Sequence, residues 1–453
     1  MADSELTSGG TGETLTPDTE DQIVGVDAEA GLSGDAPLSA LSADAYSNDF
    51  GAYVRMSLSK VRNGESGAGP IIIGLIAIVI FFQLEQSVFL HASNLGNLPA
   101  EASIYIMFGL AEMFALLLSE IDLSIGYNAA IGAFVFAELN ATPVNWPWWL
   151  AVLGALFVTT GFGALQGTLI ARLGLPSFVV TLAGFLGFEG LMLELTNIDP
   201  TSLGGVMELN QTSPVYKLAN SNMSPTLGWV VLVGLLAAYA IFTLNRARVK
   251  RNHGLVAPPL GVSLMGIVVA AIGGAVLVAI MNVNRGSPIA PLRGVPWVVP
   301  FVLVVVVAFS VMLSRTRLGR YIYAVGANPE AARRAGINVT MIRTVVFALC
   351  GFGAGLAGLV YASQLGSIAT DFDGGTQVLY AVAAAVIGGC SLFGGRGKPV
   401  NALLGGLVIG VVINGLALMS VSAAVNYMAT AVVLLAAVIL DALVRRRSST
   451  LAR

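Results

Sequence analysis

Apolar runs of about twenty residues recur along the chain from residue 69 to residue 444, separated by short polar stretches. A hydrocarbon core of ~30 Å needs about 20 apolar residues per helix, so this pattern restricts the chain to a helical bundle in a bilayer. Twelve candidate spans lie near 69–88, 102–119, 124–140, 147–170, 175–196, 226–244, 260–281, 296–314, 341–363, 377–394, 401–419 and 424–444. The run at 124–140 is the weakest, because Asn128 and Glu138 interrupt it. Composition excludes a soluble alternative: 56% of the residues are hydrophobic and 11% charged, against about 25% charged in an ordinary soluble domain. The expected fold class is an all-α polytopic membrane protein with about 12 transmembrane helices (10 to 12).

Charge orients the bundle, since short cytoplasmic loops carry the excess of Lys and Arg. With both termini cytoplasmic, twenty of the 23 basic residues fall on one side. They include Arg55, Lys60, Arg62, Arg172, the cluster Arg246, Arg248, Lys250 and Arg251, the long loop carrying Arg315 to Arg343, then Arg396 and Lys398, and the tail Arg445, Arg446, Arg447 and Arg453. Lys217, Arg285 and Arg293 alone are left outside. Slipping the count by one span would scramble this asymmetry, so an even number of spans is expected.

Before the first span, residues 1–54 hold eleven of the 26 acidic residues amid Ser, Gly, Thr and Asp. Such a segment buries too little apolar surface to fold, and it lacks the basic and apolar regions of a signal peptide. The chain therefore divides into an acidic, disordered cytoplasmic tail with a short basic juxtamembrane segment (1–66), a transmembrane domain (67–445) and a basic C-terminal tail (446–453). Cys350 and Cys390 lie in apolar segments without CxxC spacing, and His91 and His253 are far apart in loops. Neither set points to a metal or catalytic centre.

One short polar stretch stands out against the apolar runs: AVGANPEAARRAGINV, residues 324–339. Asn328 suits a helix N-cap, Pro329 the first helical position, Glu330 the positive end of the dipole and Gly336 the C-terminal stop. Ala331, Ala332, Arg333, Arg334 and Ala335 are good helix formers. The result is a cytoplasmic helix of two turns, too short to stand alone in water. Its alanine face suits a groove in another protein, or the segment is a plain connector.

Residues 317–339, RLGRYIYAVGANPEAARRAGINV, resemble the cytoplasmic coupling region of permeases of ATP-binding-cassette (ABC) sugar importers, in the ribose/xylose family. EIDLSIG at 120–126, RLGLPSFVVTLAGFLGFEGL at 172–191 and AVAAAVIGGCSLFGGRGKPVNALLGGLVIGVVINGLALM at 381–419 carry the same likeness. An added pair of spans at about 226–281, with the loop NRARVKRNHGLVAPP, is similar to the xylose or multiple-monosaccharide subgroup; the acidic tail departs from the family pattern.

The resemblance implies a type II-like importer bundle in the bacterial inner (plasma) membrane. It also implies a homodimer, separate ABC ATPase subunits that bind ATP and Mg, an extracytoplasmic sugar-binding protein and a monosaccharide substrate, without nucleic acid. Gly326, Asn328, Pro329, Glu330, Ala331, Ala332, Arg333, Arg334 and Gly336 would then form the coupling helix. No catalytic residue, metal site or cofactor is expected in the chain itself. It holds no G-x-x-x-x-G-K-[ST] phosphate loop, since GGRGKP at 394–399 has Pro399 where Ser or Thr is required.

Polar side chains at membrane depth are costly and mark function first. Glu120, Asp122 and Ser124, between the second and third spans, are candidates for a pathway or gate, with Asp122 expected to cap the third span. Gln166 and Asn414 are further pathway candidates, each open to the alternative of an interhelical hydrogen bond. Glu189 and Glu194 share that ambiguity, and Glu101 and Glu112 have no assigned role. The Glu120/Asp122 pair also admits a secondary transporter driven by an ion gradient. An intramembrane enzyme is disfavoured by the lack of HExxH and GxSxG motifs, and a pure scaffold would not need the helix at 328–336.

Overall fold

The structure, a computed structural model, describes residues 69–198, 204–253 and 260–422 apart from 288 and 290, with scattered positions up to 435. The acidic tail, the C-terminal tail 446–453 and most of the candidate span 424–444 lie outside the described residues.

In chain order the elements are α1 (Gly69–Glu85), α2 (Ala92–Leu117), α3 (Ile125–Asn140), α4 (Trp148–Leu173), α5 (Ser177–Ile198), β1 (Val206–Glu208), α6 (Pro214–Asn220), α7 (Pro225–Asn252) and α8 (Leu260–Asn282). Then follow α9 (Val298–Arg315), α10 (Arg317–Ala327), α11 (Pro329–Arg334), α12 (Val339–Leu365), β2 (Ser367–Ala369), α13 (Gly374–Ile387) and α14 (Pro399–Leu418). Among the described residues eight helices are long and apolar enough to cross a membrane: α2, α4, α5, α7, α8, α9, α12 and α14. Three of the twelve candidate spans are shorter, with 17 residues in α1, 16 in α3 and 14 in α13.

The stretch from Arg315 to Arg343 is not the loop the charge count took it for. Thr316 caps α10 by accepting from Gly319 N, and Gly319, Ile322, Val325 and Gly326 form its buried stripe. A helix with one apolar face can lie against the bundle rather than cross it.

Packing repeats itself within the bundle. α12 lies on α4 as α2 lies on α14; α3 packs against α12 as α13 packs against α2; α3 meets α4 as α13 meets α14. The two units α2–α3–α4 and α12–α13–α14 thus share one plan, a long helix, an extended break and a short helix followed by a longer one. Glycine makes both long crossings possible, because lipid supplies no hydrophobic drive between helices and close backbone approach must. A Cβ at Gly163 would stand 2.2 Å from Phe347 O, and one at Gly351 2.2 Å from Thr159 O. At the equivalent crossing a Cβ on Gly406 would lie 2.5 Å from the Ile106 Cα, and one on Gly410 2.6 Å from the Ala102 Cβ.

The central helices α2 and α12 are the most buried of the eight, whereas α7 and α8 are the most exposed and pack mainly on each other. α3 also sits inside the protein. Its Asn128 donates to Thr159 O at 3.2 Å, which explains how a polar side chain that weakened its reading as a span is accommodated. Outside the helices, β1 and β2 pair antiparallel, with Met207 opposite Ile368.

Candidate functional site

The chain reverses after Leu117 and climbs back beside α2 before α3 begins. Glu120 N donates to Ala115 O at 3.1 Å, and Asp122 N to Glu112 Oε1 at 3.2 Å. Since Glu112 lies five residues inside the end of α2, α3 starts roughly 7 Å into the bundle at about 1.5 Å rise per residue. Irregular backbone at such depth is tolerated only when buried in protein or lining a cavity. Here it is buried: Glu112 and Ser124 are wholly enclosed, and Asp122, Gln166 and Glu120 nearly so.

Asp122 Oδ1 accepts both from Ser124 N at 3.0 Å and from Ser124 Oγ at 2.6 Å. The expected cap is therefore displaced by one step. Ser124 holds the N-cap position of α3 in a helical conformation and makes no side-chain cap, while Asp122 ties down Ser124 itself. The Ser124 hydroxyl has one proton, and the short contact to Asp122 uses it. Its Oγ also lies 3.0 Å from Gln166 Oε1, and the Gln166 Nε2 faces Gly184, where a Cβ would lie 2.0 Å from it. On the other side, Thr181 Oγ1 sits 3.3 Å from Ile121 O, so α5 also supports the break.

Glu120 and Asp122 do not act as a pair. Glu120 Oε1 meets the Arg343 Nε at 3.1 Å, one turn into α12. Asp122 instead neighbours Glu112, a residue that the sequence left unassigned. Glu112 Oε2, Glu120 Oε2 and Asp122 Oδ2 are buried without a hydrogen-bond partner among the described residues. An arrangement of this kind can serve as a gate held by charge, or hold a proton.

The same end of α2 is held by α10 and by the loop between α13 and α14. Gly395 N donates to Leu117 O at 2.9 Å, satisfying a carbonyl that the helix end would leave orphaned. Gly326 packs so closely that a Cβ there would stand 1.8 Å from the same oxygen, and Tyr323 Oη donates to Gly397 O at 2.6 Å. Gly326 therefore belongs to α10 and serves as a packing residue, not as part of the short helix in which the sequence placed it. Cys390, in this loop, is buried.

The short helix α11 has Asn328 as N-cap, accepting from Ala331 N at 2.9 Å, and Pro329 at its first position. It closes through Ile337 N to Ala332 O and Gly336 N to Arg333 O, both 3.0 Å, with Gly336 at φ +82°. This pattern needs a left-handed residue after the cap, the conformation glycine adopts at least cost. Glu330 pairs with Arg333 at 3.1 Å and Arg334 at 3.4 Å on the exposed face. The expected alanine face is split: Ala331 is exposed, while Ala332 is 4% exposed and packs into the chain's own core.

Asn414, a pathway candidate, has its bonds satisfied elsewhere. It exchanges amide hydrogen bonds with Asn94 at 2.8 and 3.0 Å and donates to Glu101 Oε2 at 2.8 Å, joining α14 to the start of α2. A second polar and aromatic cluster went unforeseen. Tyr127 Oη donates to Glu189 Oε1 at 2.9 Å, and its ring meets Phe185 at 4.9 Å and Phe372 at 6.1 Å. Tyr361 stands edge-on to Phe372 at 4.8 Å. No spacing in the sequence links 127 to 372. Among the described residues no group of three or more His, Cys, Asp or Glu is placed to hold a metal ion.

A bundle of apolar helices with a buried polar break, gripped at one end by short amphipathic helices, defines a multi-pass membrane permease. The family described as branched-chain amino acid transport system / permease component matches residues 94–438, and the chain belongs to it, as a ribose/xylose-type ABC permease. It is 32% identical over 383 residues to the xylose transport system permease protein of Escherichia coli K12, covering 83% of this chain and 92% of that protein. The D-allose transport system permease protein of the same strain is 29% identical over 378 residues, covering 83% and 92%. Its ribose import permease protein is 30% identical over 370 residues, covering 81% and 92%. No solved structure matches the chain.

Proposed function

We propose that this chain is the membrane subunit of an ATP-dependent importer of a monosaccharide, xylose or a related pentose or hexose, in the bacterial inner membrane. Two copies form the path, a separate ATPase docks on α11 from the cytoplasm, and an extracytoplasmic protein delivers the sugar. The xylose, allose and ribose permeases to which the chain is similar support the substrate class. ATP and Mg belong to the ATPase, and this chain carries neither a catalytic residue nor a cofactor of its own.

The observation that carries the reading is the continuity from α11 to the buried break. α11 leads through Gly336 to Asn338, which caps α12 by accepting from Met341 N at 2.9 Å, and Arg343 follows within that first turn and a half. A push on α11 therefore displaces the Arg343–Glu120 ion pair, while α10 and Gly395 hold the end of α2 in place. Glu330, Ala331, Arg333 and Arg334 form the docking face; Ala332 anchors the helix from below.

The carboxyl cluster also fits an ion-gradient-driven secondary transporter, so the decisive test compares the two energy sources. Proteoliposomes containing this chain alone receive a proton or sodium gradient, and a second set receives the ATPase, binding protein and ATP. Sugar accumulation only in the second set is expected. Uphill uptake by the chain alone would overturn the importer reading.

A further inference from the structure

The peripheral pair α7–α8 carries a site that the transport reading leaves unused. At the end of α7 near the start of α10, Ile241, Phe242, Arg246, Val249 and Lys250 form one stripe at helical spacing, and Arg315 from the end of α9 faces it across an open groove. α7 rests mainly on α8, so a gap separates it from α9. Arg315 reaches over that gap, with Cζ 5.6 Å from the Phe242 ring centroid. Ile241 is 68%, Phe242 53% and Val249 49% exposed. None of Arg246, Lys250 or Arg315 forms an ion pair with a described carboxylate.

We infer that this groove binds the headgroup of an anionic phospholipid, with its acyl chains lying along Ile241 and Phe242. Three cations without a counter-charge among the described residues, set at the end of a membrane helix above an apolar floor, match a phosphate with hydrocarbon attached. Basic pockets between transmembrane helices recognise acidic headgroups in this way. A free phosphate would satisfy the cations and leave the apolar floor bare; an apolar chain would cover the floor and leave the cations unpaired. Only an amphiphile with a negative head does both. Arg315 immediately precedes Thr316, the cap of α10, so the bound lipid braces the corner from which the α10–α11 segment departs. The inference rests on the chain spanning a bilayer and not on its energy source.

The test uses the full chain, purified in detergent and examined by native mass spectrometry with added phosphatidylglycerol, phosphatidylcholine or inorganic phosphate. Phosphatidylglycerol should be retained in preference to phosphatidylcholine, and inorganic phosphate should not displace it. Each of R246Q, K250Q and R315Q should weaken retention about fivefold, and the triple variant about a hundredfold. Phe242→Ala, which keeps every cation, should also weaken it, through loss of the floor and of the Arg315 contact. Equal retention of the two lipids, unchanged retention by the triple variant, or displacement by inorganic phosphate would overturn the inference. Because no ATPase or sugar is present, its failure is separate from any failure of the importer reading.

Discussion

The two repeated units place a break in the same position and treat it in opposite ways. In α2–α3–α4 the break holds Asp122, which is 1% exposed and surrounded by Glu112, Ser124 and Gln166. In α12–α13–α14 it holds Asp373, which is exposed and caps α13 by accepting from Thr376 N at 2.9 Å. The starts of α3 and α13 touch, since a Cβ at Gly126 would stand 2.1 Å from Gly374 O. A shared backbone plan thus carries two electrostatic settings. The buried break is tied by Glu120 to Arg343 and so to α11; the open break is tied to the β1–β2 ribbon and the Tyr127, Tyr361 and Phe372 aromatics.

That contrast can be broken most severely where the two breaks meet. Gly126→Val forces a branched side chain into Gly374 backbone, and overpacking of this kind costs about 1–3 kcal/mol and sometimes more. A large fall in the thermal midpoint of the detergent-purified protein is expected, whereas Gly161→Val, with open space around its Cβ, should leave it nearly unchanged. If both variants melt alike, the breaks do not pack as described.

The next largest effect concerns the buried break itself. Arg343→Gln leaves Glu120 enclosed without its cation, and losing one partner of a fully buried pair costs about 3–5 kcal/mol. The Arg343 side chain is 34% exposed, so a smaller loss, about 1–2 kcal/mol, is expected after solvent screening. At the open break Asp373→Ala should cost about 1 kcal/mol, the ordinary value of a lost N-cap. Denaturation of the two variants side by side checks the order. A loss at Asp373 exceeding that at Arg343 would reverse the assignment of buried and open.

On α11 the effects should separate stability from coupling. Ala331→Trp places bulk on the exposed face, and it should lower sugar uptake per ATP hydrolysed while the thermal midpoint stays within about one degree, as for most surface changes. Ala332→Trp, on the buried face, should lower the midpoint. Equal behaviour of the two in both assays would remove the distinction between docking face and anchor.

Much of this plan was legible in the sequence for local reasons. Asn328, Pro329 and Gly336 marked the ends of α11 because capping chemistry acts within a few residues. Gly163, Gly351, Gly406 and Gly410 sit at the helix crossings, where close approach in lipid needs small side chains. What stayed hidden depends on contacts between distant segments. Glu120 and Asp122 lie two apart yet face different partners, Arg343 and Glu112. Asn414 finds Asn94 across 320 residues. The helicity of 317–327 was masked by its charges, although the spacing of Gly319, Ile322 and Gly326 already traced an apolar stripe. α3 looked weak as a span because its polar residues were judged against lipid, while in the fold they face protein.

The central claim is that force applied at α11 reaches the buried break through Arg343 and Glu120. A double-mutant cycle on sugar uptake per ATP hydrolysed, in proteoliposomes with ATPase and binding protein, tests it most directly. Glu120→Gln and Arg343→Gln should each let hydrolysis continue while uptake falls, and the double variant should be no worse than either alone. Singles that leave the uptake ratio unchanged, or a double variant whose defect is the sum of two separate ones, would contradict it.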